Sequence, residues 1–229
     1  MTIWRLPADE VLFPDPLTAE PDGLIGVDGS ISPDHLLAAY REGIFPWNEE
    51  RERTLWFFTH PRCVLDPARL HVPSSLKPAL NRFEVRRDTA FEDVLMGCVT
   101  RGAPSPSRRT LRDTWLYPAL RASMTTLHRR GVAHSFEAWR DGRLVGGLYG
   151  LKIGSVFCGE SMFFAERDAS KVAFVRMVAC ARASGITLID CQQDTEHIRK
   201  FGATLIEGAD YLAHLRRERD RVVAWAPLG

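Results

Sequence analysis

An α+β fold is predicted: a small N-terminal α/β unit over residues 1–70, then a larger domain over 71–229 built on a mixed sheet whose strands splay apart. Three observations predict it. The segment 66–81 carries Pro67, Pro73 and Pro78 and reads as a linker. Beyond it, strand-like runs at 132–139, 144–151 and 155–159 follow one another through short turns at Asp141-Gly142 and Ile153-Gly154, the signature of antiparallel hairpins. The third run then reaches a fourth, 186–191, through one helical segment, 169–184, and such a crossover makes the two strands parallel.

The elements follow in order. Residues 1–30 are rich in Pro and Gly and read as irregular structure with short extended pieces. Ser32-Pro33 opens a helix, Ser as N-cap and Pro at the first helical position; Leu36, Leu37, Ala39 and Tyr40 give it an apolar side, and Gly43 ends it. Short strands at Leu55–Phe58 and Cys63–Leu65 flank a His60-Pro61 turn. In the larger domain Phe83–Arg87 reads as a strand, and Asp88 as the cap of a helix running to about Cys98. A Pro/Ser/Arg loop spans 101–113. Thr114 then caps a longer helix, with Leu116, Leu120, Met124 and Leu127 on one face and a stop at Gly131. After the fourth strand come a short helix (194–201), a strand (204–206) and a final helix (210–219).

Composition narrows the function. Hydrophobic residues are 45% of the chain, enough for a core, yet no run of about 18 apolar residues suggests a membrane span. MTIWRLPADE lacks the basic and apolar regions of a signal peptide. The five cysteines form no CxxC pair and read as reduced thiols of a cytoplasmic protein. Seven scattered histidines without HxxxH spacing predict no metal site. A net charge of +1 argues against coating a long duplex, but Arg101, Arg108, Arg109, Arg112, Arg121, Arg129 and Arg130 against Asp113 suggest a local phosphate patch.

The order of elements from residue 83 resembles the GNAT-type acyltransferase fold, in which the two parallel strands diverge and substrates enter the gap. The segments GIFPW (43–47), TW (114–115), HSFEAW (134–139), LVGGLYG (144–150), FCGESMF (157–163), ASK (169–171) and LIDCQ (188–192) occur in the order found in leucyl/phenylalanyl-tRNA–protein transferases. The chain resembles that family from about Phe13 to Leu212. The family's segment close to W-S-P-D-P-R reads Trp56-Phe57-Phe58-Thr59-His60-Pro61-Arg62 here, with His60 in place of an acid, and Asp168 stands where Asn is usual.

The resemblance implies transfer of Leu or Phe, with Met open, from the 3′ acceptor end of an aminoacyl-tRNA to the N-terminal α-amine of a protein beginning with Arg or Lys, which tags that protein for N-degron degradation. The ester is already activated, so no cofactor is expected. An α-amine has a pKa of about 7.7–8.0 and is partly nucleophilic at neutral pH. The protein must orient ester and amine, accept a proton and stabilise the oxyanion. Asp190 and Gln192 alternate on one strand and are expected to share the cleft, Asp190 polarising Gln192 and Gln192 holding the amine. Glu160, directly after a strand, completes the catalytic set, either pairing with the basic acceptor residue or fixing the reacting groups; the resemblance implies an active-site role and leaves open which. Leu148, Phe157, Gly159, Met162, Phe174, Met177 and Ile189 are expected to form the substrate pocket, and the methionines make it adaptable. Trp47 and Trp115 offer faces for the terminal adenosine, as the resemblance also implies. An alternating strand turns Cys191 away from Asp190, which argues against a thiol nucleophile. Two rivals stay open. An acyl-CoA-dependent GNAT N-acyltransferase would need a glycine-rich pyrophosphate loop, and FFAERDASK (163–171) has no glycine. A non-catalytic tRNA or peptide-end binder would bind without transfer.

Overall fold

A computed structural model describes residues 3–47, 53–100 and 114–228. Its two sheets have a common core. In the first, β1 (Trp4–Leu6) runs parallel to β2 (Leu24–Asp28), and β3 (Phe45–Pro46) and β4 (Leu55–Phe57) complete the order β1-β2-β4-β3. Helix α1 (Pro33–Arg41) starts as its sequence dictates: the Ser32 hydroxyl accepts from the His35 amide and Pro33 occupies the first turn. Gly43 follows with φ +75°, and a Cβ there would meet the Tyr211 ring at 2.7 Å, so both backbone and packing require glycine.

The second sheet has seven strands in the order β11-β5-β10-β9-β8-β7-β6. They are β5 (Arg62–Leu65), β6 (Glu84–Arg87), β7 (Ala133–Arg140), β8 (Arg143–Ile153), β9 (Val156–Phe164), β10 (Leu188–Gln192) and β11 (Thr204–Ile206). The strands expected on either side of His60-Pro61 do not pair with each other. β4 stays in the first sheet, whereas β5, assigned from sequence to the N-terminal unit, lies between β10 and β11. Among the described residues of the large sheet only β9 and β10 pair in parallel, joined by the helix Ala169–Ser184 as the crossover predicts; the result is the α+β architecture with a mixed, splayed sheet.

The remaining helices are α2 (Phe91–Thr100), α3 (Pro118–Arg129), α4 (Ala169–Ser184), α5 (Glu196–Arg199) and α6 (Gly208–Glu218). Two expected caps act differently. Asp88 has φ +60° and accepts from the Ser135 amide at 2.9 Å, tying the turn after β6 to β7 rather than capping α2. Thr114 accepts from the Leu116 amide, but α3 begins only at Pro118, whose fixed φ suits a first turn. The arginine-rich loop 101–113 lies outside the described residues. α4 buries ten of its residues, including Val172, Phe174, Met177 and Val178, against one face of the large sheet. On the other face Leu36, Tyr40, Trp56 and Phe58 pack with Val94, Met124, Tyr149 and Leu215, so the N-terminal unit shares this core.

Candidate active site

Two β-bulges build the site. β9 and β10 pair from Val156↔Leu188 to Cys158↔Asp190 and then diverge. Just beyond, the register between β8 and β9 jumps from Gly150↔Gly159 to Tyr149↔Ser161, leaving Glu160 as the extra residue. Glu160 therefore does not follow a strand end, as expected; β9 continues to Phe164. Gly150 beside the bulge has no room for a side chain, since a Cβ would lie 2.2 Å from the Cys158 carbonyl oxygen. On β10 the register against β5 shifts between Asp190↔Val64 and Gln192↔Cys63, which leaves Cys191 extra, and Gln192 has φ +59°. Bulges re-aim side chains out of the ladder. Here they aim two at each other: Gln192 Nε2 donates to Glu160 Oε1 at 2.7 Å.

Asp190 borders the same cleft, but its carboxylate does not meet the Gln192 side chain. Its carboxylate is fully buried, with Arg62 Nε 2.8 Å from Oδ1 and Nη2 2.6 Å from Oδ2. The Tyr211 hydroxyl donates to Oδ2 at 2.7 Å and the Gln192 amide to Oδ1 at 2.9 Å. Four donors satisfy it, and none is the Gln192 side chain. The Arg62 guanidinium carbon lies 4.5 Å from the Tyr211 ring centroid and 5.0 Å from that of Phe45. Burial, the largest single influence, lowers the Arg62 pKa; the Asp190 charge, Tyr211 and the hydrogen bond to Asp190 together outweigh it and raise the pKa. A buried bidentate pair of this kind, with its other positions hydrogen-bonded, leaves an uncompensated charge if either partner is removed.

Glu160 is in the opposite situation. Burial pushes its carboxyl up to about 7, against the pull of the neighbouring Tyr40 and Gln192 donors, and Asp190 pushes the same way. The Tyr40 hydroxyl lies near the carboxylate, buried and without a well-aligned hydrogen bond, as does the Tyr149 hydroxyl. A carboxyl that titrates near neutrality, in a cleft, suits a general base.

Two cavities meet at this carboxylate. One, of about 210 Å³, is lined by Leu148, Met162, Phe174, Met177 and Ile189 together with His197 and Ile198. The other, of about 240 Å³, lies between Phe45, Pro46, Trp47, Trp115, Gln192 and Gln193. Gly159, Glu160, Cys191, Thr195 and Ile198 border both. The structure thus brings together Glu160, Gln192, both tryptophans and six of the expected pocket residues. Phe157 is the exception: it is fully buried and packs edge-on against Phe136 and Trp225, and it does not line the cavity. Cys191, expected to face away, borders both cavities because the bulge breaks the alternation.

Comparison with known proteins now bears on this arrangement. Residues 64–216 match the family described as leucyl/phenylalanyl-tRNA protein transferase, and residues 29–60 match its N-terminal domain. The chain belongs to this family. The leucyl/phenylalanyl-tRNA–protein transferase of Anaeromyxobacter sp. (strain K) is 50% identical over 219 residues, 95% of this chain and 91% of the relative. That of Nitratidesulfovibrio vulgaris (strain DP4) is 47% identical over 230 residues, 98% and 96% of the two chains. Among solved structures, L-PGS from Bacillus licheniformis aligns with a TM-score of 0.40 at 9% identity, covering 72% of this chain and 51% of that one.

In this member of the transferase family, the sequence reading missed Arg62, Tyr211, Tyr40 and the α5 wall. Arg62 carried a usable signal: a cation leading the apolar run Arg62-Cys63-Val64-Leu65 calls for a buried acid. Thr195 caps α5 by accepting from the Ile198 amide, which fixes His197 and Ile198 against the cavity. Among the described residues no cluster of three or more His, Cys, Asp or Glu could hold a metal ion, and no helix is long and apolar enough to cross a membrane.

Proposed function

We propose that this transferase moves Leu or Phe from the 3′ acceptor end of an aminoacyl-tRNA to the α-amine of cytoplasmic proteins beginning with Arg or Lys, and so marks them for N-degron degradation. The observation that carries the reading is the junction of the two cavities at Glu160 and Gln192. The donor side chain enters the apolar cavity, whose Met162 and Met177 adapt to branched and aromatic shapes. The terminal adenosine stacks at Trp47 and Trp115, which puts the ester between the two cavities. The acceptor nitrogen attacks the ester carbon, the C–N bond forms, and the C–O bond to the ribose breaks. Glu160 takes the proton the amine loses and passes it to the departing ribose oxygen, which restores the carboxylate. Gln192 orients the carboxylate and the amine. The preference for a basic acceptor rests on the family resemblance.

The test mixes purified protein with charged leucyl-tRNA and a peptide beginning with Arg, then with acetyl-CoA in place of the tRNA. Transfer of Leu to the peptide α-amine, and no acetylation, is the expected result. Binding of both substrates without transfer would replace this reading with that of a non-catalytic binder.

A further inference from the structure

Gln192 has a backbone conformation that a residue with a Cβ holds only when its surroundings impose it, φ +59° in the left-handed region. It is the last residue of β10, beyond the parallel pairing with β9. What imposes the conformation is visible on both sides of the residue. Its amide donates to Asp190 Oδ1 at 2.9 Å. Its carbonyl oxygen accepts from the Thr59 hydroxyl at 3.0 Å. That hydroxyl accepts in turn from Arg62 Nη1 at 3.3 Å. A guanidinium can only donate, so the Thr59 oxygen acts as acceptor towards Arg62 and its proton is left for the Gln192 carbonyl. Arg62 therefore reaches both backbone polar groups of Gln192, one through Asp190 and one through Thr59.

We infer that Thr59 and Arg62 are positioning residues for transfer, clamping the Gln192 backbone so that its side-chain amide stays against Glu160. The inference rests on the reading in which Gln192 and Glu160 serve the reaction. Neither Thr59 nor Arg62 touches the reacting atoms. They act through the direction of one amide, where a displacement of about 1 Å is enough to cost 10²-fold in rate. The segment Thr59-His60-Pro61-Arg62 connects the two sheets, so the clamp also ties the catalytic strand to the N-terminal unit.

Thr59→Val is the informative variant, because it keeps shape and leaves the Arg62–Asp190 pair in place. Its turnover with leucyl-tRNA and an Arg-initiated peptide should fall about tenfold or more, with KM for leucyl-tRNA and thermal stability near those of the wild type. Thr59→Ser should restore the rate. In a Gln192→Ala background, Thr59→Val should have no further effect, since the group it positions is gone. A Thr59→Val enzyme that turns over normally, or that loses the same factor in both backgrounds, overturns the inference. A Gln192→Ala enzyme that turns over normally removes Gln192 from the reaction, and the clamp has then nothing to position. Should Thr59→Val unfold, Thr59→Ala carries the same comparison.

Discussion

Asp190 and Glu160 are two carboxylates on neighbouring strands, both just where β9 and β10 part, and they meet opposite fates. Asp190 is fully buried and met by four donors, two of them from a guanidinium. Glu160 is half-buried, takes one good hydrogen bond from Gln192, and has a pKa raised to about 7 by burial. The first is an anchor whose charge is fully used. The second has a charge that comes and goes at neutral pH. Proximity to the cleft does not separate the two carboxylates; the number and kind of their donors does.

The largest expected effect tests the anchor. Arg62→Met strands the Asp190 charge in the interior and should cost about 3–5 kcal/mol of stability. In a chain of this size that lowers Tm by roughly 2–4 °C per kcal/mol, read in thermal unfolding. A Tm close to the wild type would mean that Asp190 is not held as described.

Glu160→Gln tests the other carboxylate. Turnover should fall about 10²–10⁴-fold, the range for loss of a general base. Stability should move the other way. A carboxyl whose folded pKa is raised contributes stability that is full below its unfolded pKa and is lost as pH rises through about 7. The neutral Gln avoids that loss, so the variant should be at least as stable as the wild type above pH 7. The wild-type rate should climb with pH through about 7, and the variant should lack that inflection. A profile unchanged by the substitution would make Glu160 a spectator and collapse the contrast with Asp190.

Smaller effects sharpen the division between the cavities. Trp115→Ala should weaken donor use by about 1–3 kcal/mol, one base stack, seen in KM for leucyl-tRNA. Met177→Leu conserves volume and should cost under about 1.5 kcal/mol in stability. It should shift the preference between leucyl- and phenylalanyl-tRNA by roughly 10–200-fold at most, since a difference of one methylene is worth about 1–3 kcal/mol. If Trp115→Ala changed side-chain preference and Met177→Leu changed KM for both donors alike, the two cavities would have their occupants exchanged.

Much of this was legible in the sequence. The crossover 169–184, the hairpin at Asp141-Gly142 and the Ser32-Pro33 helix start are local signals, and the structure has all three. The pocket residues Leu148, Met162, Phe174, Met177 and Ile189 converge because the splay fixes where the cavity must lie. What failed was alternation. Asp190 and Gln192 are two apart and were expected to share a face, but the extra Cys191 breaks the count. Phe157 was grouped with Met162, and the extra Glu160 lies between them. A bulge has no dependable sequence mark, and neither does a partner that arrives from a distant strand, as Arg62 does for Asp190.

The bulge at Glu160 also works as a phase shift in β9. Before it, Phe157 packs on the α4 side and Cys158 on the other; after it, Met162 packs on the α4 side and Phe163 on the other. Strict alternation would have put Met162 with Cys158 and Phe163 with Phe157. The strand is therefore written in two frames, and the inserted residue is the point where one becomes the other. Deleting Glu160 would give an unbroken ladder with Met162 still on the α4 side, whereas keeping it in the ladder without the bulge would turn Met162 out of the apolar cavity and Phe163 towards it. The extra residue is what lets one strand supply both the carboxylate and the apolar wall beside it.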